Sequence, residues 1–338
     1  MTIENASPID LAAAGIQLDA NQIPARFYRG GDRIAAFRRT GRAEPYTPED
    51  WVASTTSAFG SADLGLSRLP GGEFLIDAIR RDPEFWLGAA HRASFDSDSM
   101  LLVKLLDAGE RLPIHVHPDG AFASEHLRAP HGKAEAWYIL TPGVIRLGLK
   151  RDISRIELER AVAEHDGRTL LELTHEREVA AGDTVFVPPG TLHAIGGGIL
   201  LVEVQEPSDF SILLEWKGFA IDGDRHGHLG LGFDVALDAV DTGGRSSDEI
   251  DALIRRTPGP GSVLPPSALD YFRLDRTSGL ATFDAGFSVV ITLDGTATLS
   301  TDRSEQRLEP GSTTLIPHAA GRFEVTGECL IARPPLPR

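Results

Sequence analysis

A single cysteine, Cys329, among 338 residues excludes an internal disulfide and any cysteine-rich metal site. A chain so poor in cysteine fits a reducing compartment, and Cys329 is expected to be a small buried hydrophobe. No apolar run approaches the ~18 residues that a membrane-crossing helix needs. Residues 1–20 lack a basic stretch leading into a long apolar one, so no secretory leader is expected there and the expected location is cytoplasmic. Positive charge is scarce: 33 Lys and Arg face 49 Asp and Glu, for a net charge of −16. That field disfavours nucleic acid and anionic membrane as partners. It also obliges an anionic substrate to find a local basic pocket.

What is present is the composition of a globular protein, with 41% hydrophobic and 24% charged residues, and a length that suits two or three packed units. The 35 glycines and 22 prolines are scattered and punctuate many short apolar runs, the pattern of a mostly β protein. Strands are expected at 100–106, 114–117, 134–141, 144–149, 184–187 and 199–205. A second cluster is expected at 272–274, 280–283, 288–293, 296–300, 312–316 and 321–325. Helical spacing appears at 72–91, 119–128 and 246–256. The Pro/Gly-rich stretch that begins at Arg256 divides the chain into a main unit, 1–256, and a smaller β unit, 257–338. The smaller unit echoes the larger one. Gly311-x5-Pro317 parallels Gly182-x5-Pro188, but without a His-x-His, and this second barrel is expected to be structural.

Four residues have the chemistry and placement of metal ligands. His115 and His117 stand two apart on a strand pattern, so both imidazoles face one side. Glu135 lies in a second strand pattern and can offer a carboxylate oxygen. His193 follows Pro188-Pro189-Gly190, a turn that ends a strand and sends the chain back inward. Three imidazoles and one carboxylate suit Zn²⁺, Fe²⁺, Mn²⁺, Ni²⁺ or Co²⁺, with one divalent ion expected and zinc placed first. Lys133 precedes Glu135 by two residues and so faces the same side. Glu203 and Lys104 each interrupt an apolar strand, where an unpaired charge would cost several kcal/mol, roughly. The other histidines are expected at the surface or in structural roles, with His226 and His228 as candidates to line the pocket.

The segment Gly182-x5-Pro188-x-Gly190-x2-His193 matches the cupin pattern, and the surrounding residues narrow the resemblance. Leu101–Asp107 (LLVKLLD), His115–Asp119 (HVHPD), Gly132–Tyr138 (GKAEAWY), Pro189–Gly196 (PGTLHAIG) and Val202–Gln205 (VEVQ), then Ser208 and Asp209, resemble the type I mannose-6-phosphate isomerases. The short bacterial form is the most similar. Phe27–Gly31 and Glu49–Ser54 look like weaker versions of that family's N-terminal motifs.

The resemblance implies a cupin (jelly-roll) β-barrel with a second degenerate barrel and a few short helices. It implies a metal-dependent aldose–ketose isomerase of carbohydrate metabolism, acting on a sugar or sugar phosphate. By the same resemblance His117, Glu135 and His193 are ligands, His115 replaces a glutamine ligand, Lys133 and Glu203 are the proton-transfer groups, and Lys104 is a substrate contact. Two positions depart from the family. Leu213 stands where an arginine is typical, and Pro113 where a serine precedes the first ligand. These losses predict weaker activity on mannose 6-phosphate and keep an unphosphorylated sugar as a candidate, unless Lys217 or Arg225 supplies the charge. Two other classes share the ligand set, an iron-dependent cupin dioxygenase and a non-catalytic sugar-binding cupin. The Gly-Lys-x-Glu lysine and Glu203 argue against oxygenation, which needs neither.

Overall fold

A computed structural model describes residues 15–338; part of the segment read as lacking a leader lies outside them. Two antiparallel sheets face each other to make the main barrel. The first orders its strands Ile254–Arg255, Thr184–Val187, Glu135–Ile139, Leu200–Gln205, Leu102–Asp107 and Glu49–Val52. The second orders Ile212–Leu213, His115–Val116, His193–Ile195, Gly143–Leu149 and Thr174–Val179.

Register in the first sheet decides what the barrel encloses. Glu203 lies directly opposite Lys104 on one side and Trp137 on the other, and Lys104 lies opposite Trp51. Opposed residues share a face, and so do residues two apart on one strand. Glu49, Trp51, Lys104, Glu135, Trp137, Glu203 and Gln205 therefore all point to one side. The alternate positions, Val103, Leu105, Ala136, Val202 and Val204, are apolar and join a large buried cluster with Leu264, Phe272 and Leu330 of the C-terminal unit. These strands are buried along their whole length. Their near-continuous apolar runs follow from that, and the charges that interrupt them mark the inner face.

The C-terminal unit contributes seven strands to an eight-stranded antiparallel sheet. The pieces expected at 272–274 and 280–283 are one strand, Arg273–Phe283, and it pairs along its full length with Phe323–Arg333, which runs well past the expected 321–325. The strand Ile16–Leu18 also belongs to this sheet, pairing with Thr313–Leu315.

Helical segments differ from expectation in detail. The 72–91 stretch is three helices, Leu75–Arg81, Pro83–Leu87 and Ala89–Phe95. Pro83 cannot donate to the preceding turn, and Gly88 adopts φ 87°, which breaks the run again. Residues 119–128 form a helical turn, Gly120–Phe122, that widens into a π-helical turn, Ala123–Leu127. At 246–256 the helix is only Ser247–Asp251, started by a capping box of Ser246 and Glu249. Ile254–Arg255 instead adds an edge strand against Thr184 and Val185. The helices Asp32–Arg38, Arg155–Ala163 and Gly167–Leu173 and the strand Thr174–Val179 had no distinct sequence signal. Each mixes charged with apolar residues, and at most half of each is buried. Among the described residues no helix is long and apolar enough to cross a membrane.

Candidate metal centre and active site

His115 pairs in register with His193 across neighbouring strands, and His117 follows at the strand's end. All three rings are buried, and their potential ligand atoms lie within 4.8 Å of one another. Each ring is aimed by its own backbone partner. Nδ1 of His115 donates to the carbonyl of Pro113 at 2.8 Å, Nδ1 of His117 to that of Phe210 at 2.6 Å, and Nδ1 of His193 to that of Thr191 at 2.8 Å. A donor at Nδ1 leaves Nε2 as the lone-pair atom, which is how outer contacts fix a ligating tautomer.

Glu135 completes the set. One carboxylate oxygen is 3.1 Å from His117 Nε2 and the other 3.1 Å from His193 Nε2. Nε2 of His193 is buried with no hydrogen-bond partner among the described residues. Lone pairs of nitrogen and carboxylate facing each other in a dry site repel unless a cation sits between them. These residues therefore fit a divalent ion. The Lys133 ammonium lies 2.9 Å from Glu135 and 3.0 Å from His117.

Burial first, then Lys133, holds the His117 pKa down to about 3. Burial first, then His193 and His117, holds His115 well below the usual imidazole range. Burial alone would raise Glu135, but Lys133, His117 and His193 together outweigh it and keep the carboxyl ionised. The unfolded chain binds protons at these histidines more readily than the folded one. Their contribution to stability is thus complete above pH 6.5, the ordinary histidine value, and is lost as pH falls towards about 3. Urea midpoints of metal-free protein are expected to drop between about pH 7 and about pH 4, and His117→Asn should flatten that slope. A wild-type midpoint that does not move with pH would refute the assignment.

Next to the ligand cluster lies a small cavity, about 30 Å³, lined by His115, Glu135, Lys133, Glu203 and Lys104 among others. Every predicted site residue is buried: Lys104, Lys133 and Glu203 are at most 5% exposed. Lys104 does not snorkel outward. Its ammonium lies 3.3 Å from Glu49, 3.4 Å from Glu203 and 3.9 Å from Asp209. Burial opposes its charge, but these three carboxylates more than compensate and raise its pKa. Glu203 goes the other way, since burial first and Glu135 second raise its pKa.

Sequence reasoning missed part of this network. Glu49 accepts from Tyr28 at 2.7 Å, Trp51 at 2.8 Å and Arg26 at 2.8 Å, and Arg26 also forks onto Asp209. Glu49 and Asp209 stood in motifs that carried no assigned role, and the strand alternation with Trp51 could have placed Glu49 inward. Arg26 precedes a Gly-Gly turn in irregular chain and gave no periodic signal. His226 is exposed and, like His228, does not line the cavity. Lys217 and Arg225 are likewise exposed and outside its lining, so neither replaces the missing arginine there.

Fold and ligand cluster together define a cupin with a site able to hold a metal ion. Comparison with known proteins narrows this. The family model for the cupin domain of mannose-6-phosphate isomerase matches residues 270–334. The mannose-6-phosphate isomerase of Streptococcus mutans serotype c is 40% identical over 129 residues, a stretch covering 36% of this chain and 40% of that protein. Mannose-6-phosphate isomerase ManA of Bacillus subtilis is 28% identical over 322 residues, 90% of this chain and 94% of the relative. Among solved structures, the mannose 6-phosphate isomerase of Bacillus subtilis superposes with a TM-score of 0.73 at 23% identity, covering 94% of this chain and 98% of that one. A mannose 6-phosphate isomerase bound with zinc and yttrium superposes at 0.71 with 17% identity, covering 96% of this chain and 100% of the other. The chain is thus similar along most of its length to mannose-6-phosphate isomerases and shares their fold.

Proposed function

We propose that this protein is a metal-dependent aldose–ketose isomerase whose substrate is a sugar phosphate, with mannose 6-phosphate the first candidate. The observation that carries the reading is one cavity lined jointly by candidate ligands, His115 and Glu135, and by three further ionisable groups, Lys104, Lys133 and Glu203. Isomerisation needs a proton taken from C2 of the aldose and one delivered at C1, so it needs acid–base groups beside the sugar. When bound, a divalent ion, with zinc the first candidate, supplies Lewis-acid polarisation and a template for the sugar oxygens. His115, His117, Glu135 and His193 would hold it.

Glu203 is suited to exchange the proton. Burial first and the neighbouring Glu135 carboxylate second raise its pKa, which favours a carboxyl group that takes up a proton and gives it back. Lys104 keeps its charge and anchors Glu203 from the neighbouring strand. Lys133 stands against the ligand cluster with an ammonium that can donate to a sugar oxygen. The free space is about that of one water molecule, so a sugar is held only if the cavity widens around it.

The deciding experiment is turnover by zinc-reconstituted protein of mannose 6-phosphate and free mannose, run in deuterated water. The expected result is ketose product carrying solvent deuterium, with mannose 6-phosphate the better substrate. Absence of turnover on every aldose tried, with the metal bound, would defeat the reading.

A further inference from the structure

Three cations line the cavity, Arg26, Lys104 and Lys133, and the two lysines are buried within it. Lys104 sits among three carboxylates, and Lys133 bridges Glu135 and His117. Arg26 differs in position and in spare capacity. Its side chain is 17% exposed, whereas its partners Glu49 and Asp209 are 3% and 5% exposed, so it forms the outward end of the network. A guanidinium carries five N–H donors. Nε donates to Glu49, and one donor on each terminal nitrogen goes to Asp209 at 3.2 Å, leaving two without a partner among the described residues.

Charge around the cavity points the same way. Arg26, Lys104 and Lys133 oppose Glu49, Glu135, Glu203 and Asp209, which leaves an excess of one negative charge. A divalent ion at the histidines reverses that excess. The loaded cavity therefore favours an anionic ligand, despite the acidic surface of the whole chain. Leu213, the residue in place of the family's arginine, is buried and lies opposite His115, so that wall of the barrel offers no donor.

We propose that Arg26 is the specificity-determining cation of this site, its charge and one spare N–H group receiving the phosphate of a sugar phosphate at the outward end of the cavity. This rests on the isomerase reading above. The two bonds to Asp209 and the one to Glu49 hold the guanidinium plane fixed, so little side-chain freedom is lost when an anion binds. Lysine at this position keeps the charge but cannot make the same fork.

The test is calorimetric titration of zinc-loaded wild type, Arg26→Lys and Arg26→Met with mannose 6-phosphate and with mannose, with metal content measured in each. The affinity ratio of phosphorylated over free sugar is expected to fall roughly 10- to 100-fold in both variants, at unchanged metal content. Should the methionine variant fail to fold, with two buried carboxylates each losing a cationic partner, the lysine variant decides alone. An unchanged ratio overturns the proposal. So does a wild type that prefers neither sugar, or a loss that follows metal content equally for both sugars. Binding needs no turnover, so failure of the isomerase reading would show separately, as a wild type that binds but does not convert.

Discussion

Lys133→Ala and Glu203→Gln are each expected to cut turnover by ~10²- to 10⁴-fold while leaving about one metal ion bound per chain. The two substitutions remove different things. Glu203 is buried, lies opposite Lys104 in the sheet and has its pKa raised, so glutamine preserves its shape and removes the carboxylate that exchanges the proton. Lys133 touches two candidate ligands, and its loss removes an ammonium from their lone-pair side. Steady-state kinetics beside elemental analysis separates catalysis from metal loss. Full activity in either variant would remove that residue from the proton-transfer step.

The second large effect concerns the ion. His193→Ala should lower metal affinity by more than the ~10- to 100-fold typical of losing an outer contact to a ligand, because it removes a ligand itself. His193 is the most deeply buried of the three histidines, and Trp137 closes one side of its ring at 5.7 Å between centroids. Alanine leaves a gap that no other described nitrogen or carboxylate outside the cluster fills. Competition against a chelator with a known zinc affinity gives the number. Affinity equal to wild type would move the ion elsewhere in the molecule.

Much of this was legible in the sequence, and the legible part has a common cause. His115, His117, Lys133, Glu135 and His193 sit on or beside regular strands, where a period of two converts spacing into direction. Lys104 and Glu203 announced themselves as charges within apolar runs, and the structure places them face to face. The network around Arg26, Glu49 and Asp209 was not legible, because it joins residues up to 183 apart through irregular chain. Spacing says nothing across such a distance. The charge-rich helices between residues 155 and 173 were missed for a related reason, since elements that pack only a narrow stripe carry a weak apolar period. Ile254–Arg255 shows tertiary context prevailing: its apolar residue fits a helix, yet an open sheet edge beside Thr184 and Val185 captures the segment.

The pairing of Ile16–Leu18 with Thr313–Leu315 has a consequence for how the chain is made. Ile16 lies opposite Leu315, about 300 residues later. At a synthesis rate of ~5–20 residues per second the early strand waits roughly 15 to 60 s for its partner. The strands that carry the candidate ligands, all complete by Ile195, are available well before that, whereas the C-terminal sheet closes only after the last strands emerge. Through that interval Ile16 and Leu18, both buried in the finished sheet, lack the partner that covers them. The start of this chain is thus the place where a holding chaperone, or a bulky tag fused ahead of it, would most directly alter the yield of folded protein.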